Sequence, residues 1–118
     1  MNALRALGAD VFIGHKAENI SGADLIVFSN AIKPNNPERE AGKNSGIQEI
    51  TRASALALLM SDSVSIAVAG THGKTTTSSM ASLLFRLAGL KPTFLVGSEL
   101  LDIGLNADLG DNNYFLAE

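Results

Sequence analysis

Residues Ser65 to Leu90 read SIAVAGTHGKTTTSSMASLLFRLAGL, and their order decides the fold. Ile66 to Gly70 is an unbroken run of small and apolar residues, which predicts a strand buried on both faces, because a half-exposed strand alternates with polar residues. Gly70, Gly73, Lys74, Thr75 and Thr76 then form a turn that opens a helix. Glycines let backbone N–H groups come close to an anion, the helix N-terminus adds partial positive charge, and Lys74 supplies a full one. Together they make a phosphate cradle. In the helix, Met80, Leu83, Leu84 and Leu87 recur at helical spacing, with Ser78, Ser79, Ser82 and Arg86 pointing the other way. The expected inner face is therefore the Met–Leu stripe, and Gly89 and Pro92 end the pattern.

The loop spacing is G-x-x-G-K-T, shorter than the widespread G-x-x-x-x-G-K-[ST], because Val68 stands where the first glycine of the longer form would be. Lys74 is expected to contact the outer phosphates of ATP and to stabilise charge on the transferred group; a solvated lysine at a helix start is the bland alternative. The Thr75 hydroxyl is placed for magnesium, whereas Thr76 and Thr77 serve equally well as helix caps. His72 reads as a spacer whose backbone N–H matters more than its ring. Glu118 follows the apolar stretch NYFLA, so its carboxylate falls at the carboxyl end of a strand. That edge of a parallel sheet is where the phosphate loop lies and where open α/β folds bind ligands. A second carboxylate contact to magnesium is sensible there, since that ion takes few protein oxygens beside phosphates and water. A terminal residue standing in solvent is the alternative.

Upstream, Asn2 to Leu7 reads as the end of a helix stopped by Gly8. Val11 to Ile13 and Asp24 to Ser29 read as strands, with a brief helical segment at Glu18 to Gly22 between them. Asn36 is a helix N-cap, with Pro37 at the first helical position and Glu38 and Glu40 in the first turn. That helix is expected to stop near Asn44 to Gly46. Ile47 to Ile50 reads as a strand and Arg52 to Met60 as a helix, followed by a polar hinge at Ser61 to Ser63. Beyond Leu90, Pro92 to Val96 reads as a strand with Gly97-Ser98 as its exit turn, Leu100 to Asp111 as a loop able to lie over a ligand, and Asn113 to Ala117 as a last strand. Strand, helix and strand at this rhythm mark parallel α/β units.

Composition narrows the class. Hydrophobic residues at 46% allow a packed core, and aromatics at 5% leave it to aliphatics. A net charge of −3 without basic clusters gives no footprint for nucleic acid or anionic membrane. The chain has no cysteine, which fits a reducing cytoplasm. The apolar run Ala53 to Met60 is too short to span a bilayer, so membrane insertion is not expected.

The octet Gly70-Thr71-His72-Gly73-Lys74-Thr75-Thr76-Thr77 resembles the phosphate loop of the Mur ligases, in the histidine form of the alanine-adding branch or its peptide-recycling relative. Ile13-Gly14-His15, Ser29-Asn30-Ala31-Ile32 and Asn36-Pro37-Glu38 resemble the later part of that family's UDP-binding domain. Pro92-Thr93-Phe94, Asn106-Ala107, Leu109-Gly110 and Leu116-Ala117-Glu118 resemble the first part of its central ATPase domain. The resemblance implies an α/β chain in which residues 1–62 are a parallel-sheet, Rossmann-like half-domain and residues 63–118 the start of a P-loop ATPase domain. It implies ATP and Mg2+ as cofactors, with Gly70, Thr71, His72, Gly73, Lys74, Thr75 and Thr76 around the phosphates and Thr75 and Glu118 on the metal. UDP-N-acetylmuramate and L-alanine are the implied substrates, with His15, Ser29 and Asn30 near the sugar nucleotide. Asn30 departs from the family's usual second serine, and Ser98 from its usual second glycine. In the implied chemistry ATP converts the carboxylate to an acyl phosphate, and the amine then displaces phosphate.

Competing readings are the ligase that attaches a whole peptide to the same sugar nucleotide, an ordinary phosphate-loop NTPase, and a nucleotide-binding fragment without turnover. A chain that begins in the last turns of a helix and stops after a core strand reads as a truncated frame. About three strands are expected in each half, and the lone chain is expected to be marginally stable or to self-associate through exposed apolar surface, without activity of its own.

Overall fold

The computed structural model describes residues 2–100, 104–111 and 113–118. The chain divides into two compact units, residues 1–56 and 57–118. The division falls inside a helix, upstream of the hinge at Ser61 to Ser63 where the sequence reading sets the domain boundary. Both units are mixed α/β.

In the first unit, helix α1 (Asn2–Ala6) is followed by a 3-10 turn (Ala17–Ile20), strand β1 (Leu25–Phe28), helix α2 (Pro37–Asn44), strand β2 (Gln48–Thr51) and the start of helix α3 (Arg52–Met60). β1 and β2 pair in parallel, Leu25 opposite Gln48 and Phe28 opposite Thr51. α2 starts where the sequence places it: Asn36 Oδ1 accepts from the Glu38 amide at 2.9 Å, and Pro37 takes the first helical position. Arg39 then ties the unit together. Its guanidinium lies 3.7 Å from the Phe28 ring centroid, donates to Glu49 on β2 through Nε (2.9 Å) and Nη2 (2.5 Å), and donates through Nη1 to Ile32 O (2.9 Å). Only a planar fork reaches a ring, a carboxylate and a carbonyl at once.

Two expectations fail here. Val11 to Ile13 is not a strand; it pairs with no neighbour among the described residues, and Ile13 is 80% exposed. β1 is half-exposed rather than buried, with Leu25 and Val27 open on alternate positions.

The second unit holds strand β3 (Val64–Ala67), helix α4 (Lys74–Leu87), strand β4 (Thr93–Leu100), strand β5 (Leu105–Asp108) and strand β6 (Tyr114–Ala117), in the sheet order β3-β6-β4-β5. β6 runs parallel to both β3 and β4, with Ala67 and Leu95 both opposite Ala117. The carboxyl ends of β3 and β6 therefore lie side by side next to Leu95, beyond which β4 continues to Leu100. Phe94, Val96, Leu100 and Leu116 form the core, with Ile66, Ala81 and Phe85 packed on it and the Phe85 and Tyr114 rings edge to face at 5.0 Å. The described strands thus number two and four in the two units rather than three and three.

The register of the elements corrects several further readings. β3 is largely exposed, with only Ile66 half-buried, so it is not buried on both faces, and it ends at Ala67 rather than Gly70. Gly97 and Ser98 lie inside β4 rather than in a turn after it. Part of the expected loop from Leu100 to Asp111 is strand β5, antiparallel to β4; its Asn and Asp residues have weak strand preference, and the β4 backbone supplies the pairing. Residues 101–103 of that loop lie outside the described residues.

The largest correction concerns α4. Ser78 and Ser82 are fully buried against the sheet, while Met80, Leu84 and Leu87 are 60%, 64% and 75% exposed. Small side chains let the helix lie close to β4 and β6, with Ala81 and Phe85 filling the rest of the contact. Ser78 Oγ is satisfied by Lys74 O at 2.9 Å, but Ser82 Oγ is buried without a partner among the described residues. An unpaired buried hydroxyl costs free energy that an apolar replacement does not. In urea unfolding, Ser82→Ala is expected to hold or raise stability by up to about 1 kcal/mol, and Leu84→Gln to change it by less than about 0.5 kcal/mol. A large loss on Leu84→Gln would mean that the leucine stripe is the inner face after all.

Candidate functional site

The sheet edge where β3 and β6 end carries the glycine-rich loop read as a phosphate cradle. Gly70 to Gly73 connect β3 to α4, and Gly73 adopts the left-handed region (φ 76, ψ 1) as the residue before the helix, a conformation that favours glycine. The first helical bond runs from Thr77 N to Gly73 O at 2.9 Å, so the amides of the preceding turn have no acceptor within the helix. Lys74 Nζ donates to Gly70 O at 2.7 Å, its ammonium folded over the loop's own backbone. Thr71, His72 and Thr76 are exposed.

Glu118 reaches this edge from the end of β6. Its Oε1 accepts from Thr75 Oγ1 at 2.8 Å and from the Gly97 amide, and its Oε2 lies 3.4 Å from Ser78 Oγ. Residues 43 positions apart in the chain are thereby joined. The two residues that the resemblance assigns to a metal are thus adjacent, and they offer hard oxygen donors of the kind magnesium takes. Among the described residues no group of three or more His, Cys, Asp or Glu side chains that could hold a metal ion is present, at this edge or away from it. Beside the loop, Thr75, Thr76, Ser79, Met80, Leu83, Ser98, Glu99 and Leu100 line an open groove of about 410 Å³.

In the first unit, His15 and Ser29 line one cleft of about 360 Å³, together with Asn19, Glu38 and Arg39; Asn30 is not among its lining residues. Ser29 Oγ accepts from the Ala31 amide at 3.4 Å in the turn after β1. His15 Nδ1 and Glu38 Oε2 are 2.9 Å apart, and Asn19 Nδ2 donates to Glu38 Oε1 at 2.7 Å. These contacts, His15 first and Asn19 second, hold the Glu38 carboxyl below the usual carboxylate range.

Two participants escape the sequence reading. Gly97 was legible in kind, since glycine inside a strand signals a close approach, but the partner lies 21 residues away. Ser78 stands four residues after Lys74 on a face that periodicity assigns to solvent.

A depressed carboxyl contributes stability that is present above its unfolded pKa and lost as pH falls through the folded value. Thermal unfolding followed from pH 7 down to about 3 is therefore expected to show a smaller acid-induced loss in Glu38→Gln than in the wild type. Parallel profiles would remove the His15–Asn19–Glu38 cluster from the stability of this unit.

A model described as the Mur ligase family, catalytic domain, matches residues 1–63, just over half of the chain and ending before the phosphate loop. UDP-N-acetylmuramate–L-alanine ligases of Renibacterium salmoninarum and Oleidesulfovibrio alaskensis are 49% and 50% identical over 115 residues, which is 98% of this chain and 25% of each relative. The chain thus spans about a quarter of the length of the curated relatives it matches. Among solved structures, UDP-N-acetylmuramate:L-alanyl-gamma-D-glutamyl-meso-diaminopimelate ligase from Neisseria meningitides is 32% identical with a TM-score of 0.86, over 99% of this chain and 40% of that one. UDP-N-acetylmuramate-alanine ligase from Thermotoga maritima is 26% identical with a TM-score of 0.88, over 98% of this chain and 28% of that one.

Proposed function

The chain belongs to the Mur ligase family, and we propose that it serves the ATP-dependent ligation of L-alanine to UDP-N-acetylmuramate, an early cytoplasmic step in peptidoglycan synthesis. The observation that carries the substrate choice is the identity of 49–50% to alanine-adding ligases over nearly the whole chain. Residues 1–62 then supply the end of a Rossmann-like UDP-sugar-binding domain, and residues 63–118 the start of the P-loop ATPase domain. The likeness to a ligase that adds a peptide, at 32% identity, supports the recycling reaction as the second reading.

The chemistry follows from the loop edge. A carboxylate is a poor electrophile, and a magnesium nucleotide bound here supplies the phosphoryl group that activates it. Lys74 gives up its bond to Gly70 O and turns its ammonium to the outer phosphates, while the amides of the first turn of α4 meet the same oxygens. Thr75 and Glu118 contribute one hydroxyl and one carboxylate to the metal. His15 and Ser29 face the sugar nucleotide from their cleft, with Asn30 in the adjoining turn. The apolar stripe of α4 is the surface through which the isolated chain self-associates.

Calorimetry with the magnesium complex of a non-hydrolysable ATP analogue tests the phosphate cradle. Lys74→Ala is expected to weaken binding about 10- to 100-fold, the worth of a charge-assisted contact. Equal affinity in the two proteins would remove the phosphate role of the loop.

A further inference from the structure

The geometry points to Gly97 as a positioning residue: it reserves the space and the amide that hold the Glu118 carboxylate against Thr75. This rests on the reading of Thr75 and Glu118 as the metal-holding pair and adds a residue to it.

Gly97 sits in β4 just past Leu95, the last β4 residue paired with β6, and inside the irregular stretch where the β4–β5 register shifts between Leu95 and Leu100. A shift of this kind takes amides out of the regular ladder and re-aims the strand. The Gly97 N–H goes to Glu118 Oε1. Glycine is commonly demanded by a left-handed backbone, but Gly97 is not among the glycines with positive φ. Space is the remaining demand: a Cβ built on Gly97 lands on Glu118 Oε1 and comes within 3.3 Å of Thr75 Oγ1. The room that a side chain would take is filled by the Glu118 carboxylate.

The arrangement has a chemical consequence at Thr75. A hydroxyl has one hydrogen to donate and two lone pairs to offer. With Glu118 Oε1 accepting that hydrogen at 2.8 Å, the lone pairs of Oγ1 are directed away from Glu118 and left free for a cation. Oε1 is engaged twice, by Thr75 and Gly97, while Oε2 has only the 3.4 Å contact with Ser78 and is the oxygen left to turn toward a metal. Gly97 thus fixes the rotamer of a side chain that follows the last strand and that would otherwise lose side-chain entropy on binding.

The test uses the 118-residue chain and reads the magnesium concentration at half-saturation of ATP-analogue binding, alongside analogue binding without magnesium. Gly97→Ala is expected to raise the magnesium requirement about tenfold while changing magnesium-free binding less than about twofold. Equal losses with and without magnesium, or no change in either, would overturn the assignment. Glu118→Gln separates the two layers. If Glu118→Gln raises the magnesium requirement and Gly97→Ala does not, the Gly97 inference alone fails; if Glu118→Gln leaves it unchanged, the metal-holding reading fails and takes the inference with it. Should Gly97→Ala not fold, the Gly97 amide is followed by NMR in Glu118→Ala. Its resonance is expected to move and its hydrogen exchange to quicken about tenfold; an unmoved Gly97 amide would overturn the assignment.

Discussion

The carboxylate of Glu118 is the point on which the second unit turns. It lies at the end of β6, accepts from Thr75 in the first turn of α4 and from Gly97 in β4, and so joins a helix and two strands through one side chain. Parallel pairing makes this possible, because β3 and β6 end side by side in register with Leu95 and β4 carries on past them to Gly97. The loop leaves β3 there and Glu118 leaves β6 beside it, as the topology of open α/β sheets requires of a ligand site. The buried serines of α4 belong to the same arrangement. Ser78 and Ser82 let the helix approach the sheet closely enough for Thr75 to meet the carboxylate, whereas leucines in those places would hold it off.

The first unit is held by a different device. Among the described residues its sheet has only two strands, too few to supply a core, and none of the hydrophobic side chains whose burial is described is fully buried. Arg39 stands in for that core by stacking on Phe28 and forking onto Glu49 and Ile32. Its side chain is 12% exposed and that of Glu49 37%, so the ion pair lies at the surface and the packing on Phe28 is what sets Arg39 apart. One helical position earlier, Glu38 gathers His15 and Asn19 into the wall of the cleft. The cleft wall and the contacts that tie the unit together thus share one helix N-terminus.

What the sequence disclosed depended on whether a signal is local. The turn at Gly70 to Gly73, the N-cap at Asn36 and the stop at Gly89 each rest on neighbouring residues, and each stands where expected. The adjacency of Thr75 and Glu118 was also legible, through the rule that places ligands at the carboxyl edge of a parallel sheet. Facing was not. Periodicity reveals that α4 has two unlike stripes but not which one meets the sheet, and here the small polar stripe wins because close approach outweighs apolar area. Gly97 read as a turn because glycine and serine are usual turn residues, and β5 read as loop because the stretch around it is rich in Gly, Asn and Asp. In both cases the deciding partner is distant in sequence, and composition carries no trace of it.

Amide-resolved NMR of the 118-residue chain titrated with the magnesium complex of an ATP analogue tests the account most directly. It requires the largest shifts at Gly70 to Thr77, accompanied by Gly97 and Glu118, with β1 and β2 unmoved. Shifts confined to the His15 cleft, or loop shifts that leave Gly97 and Glu118 untouched, would contradict it.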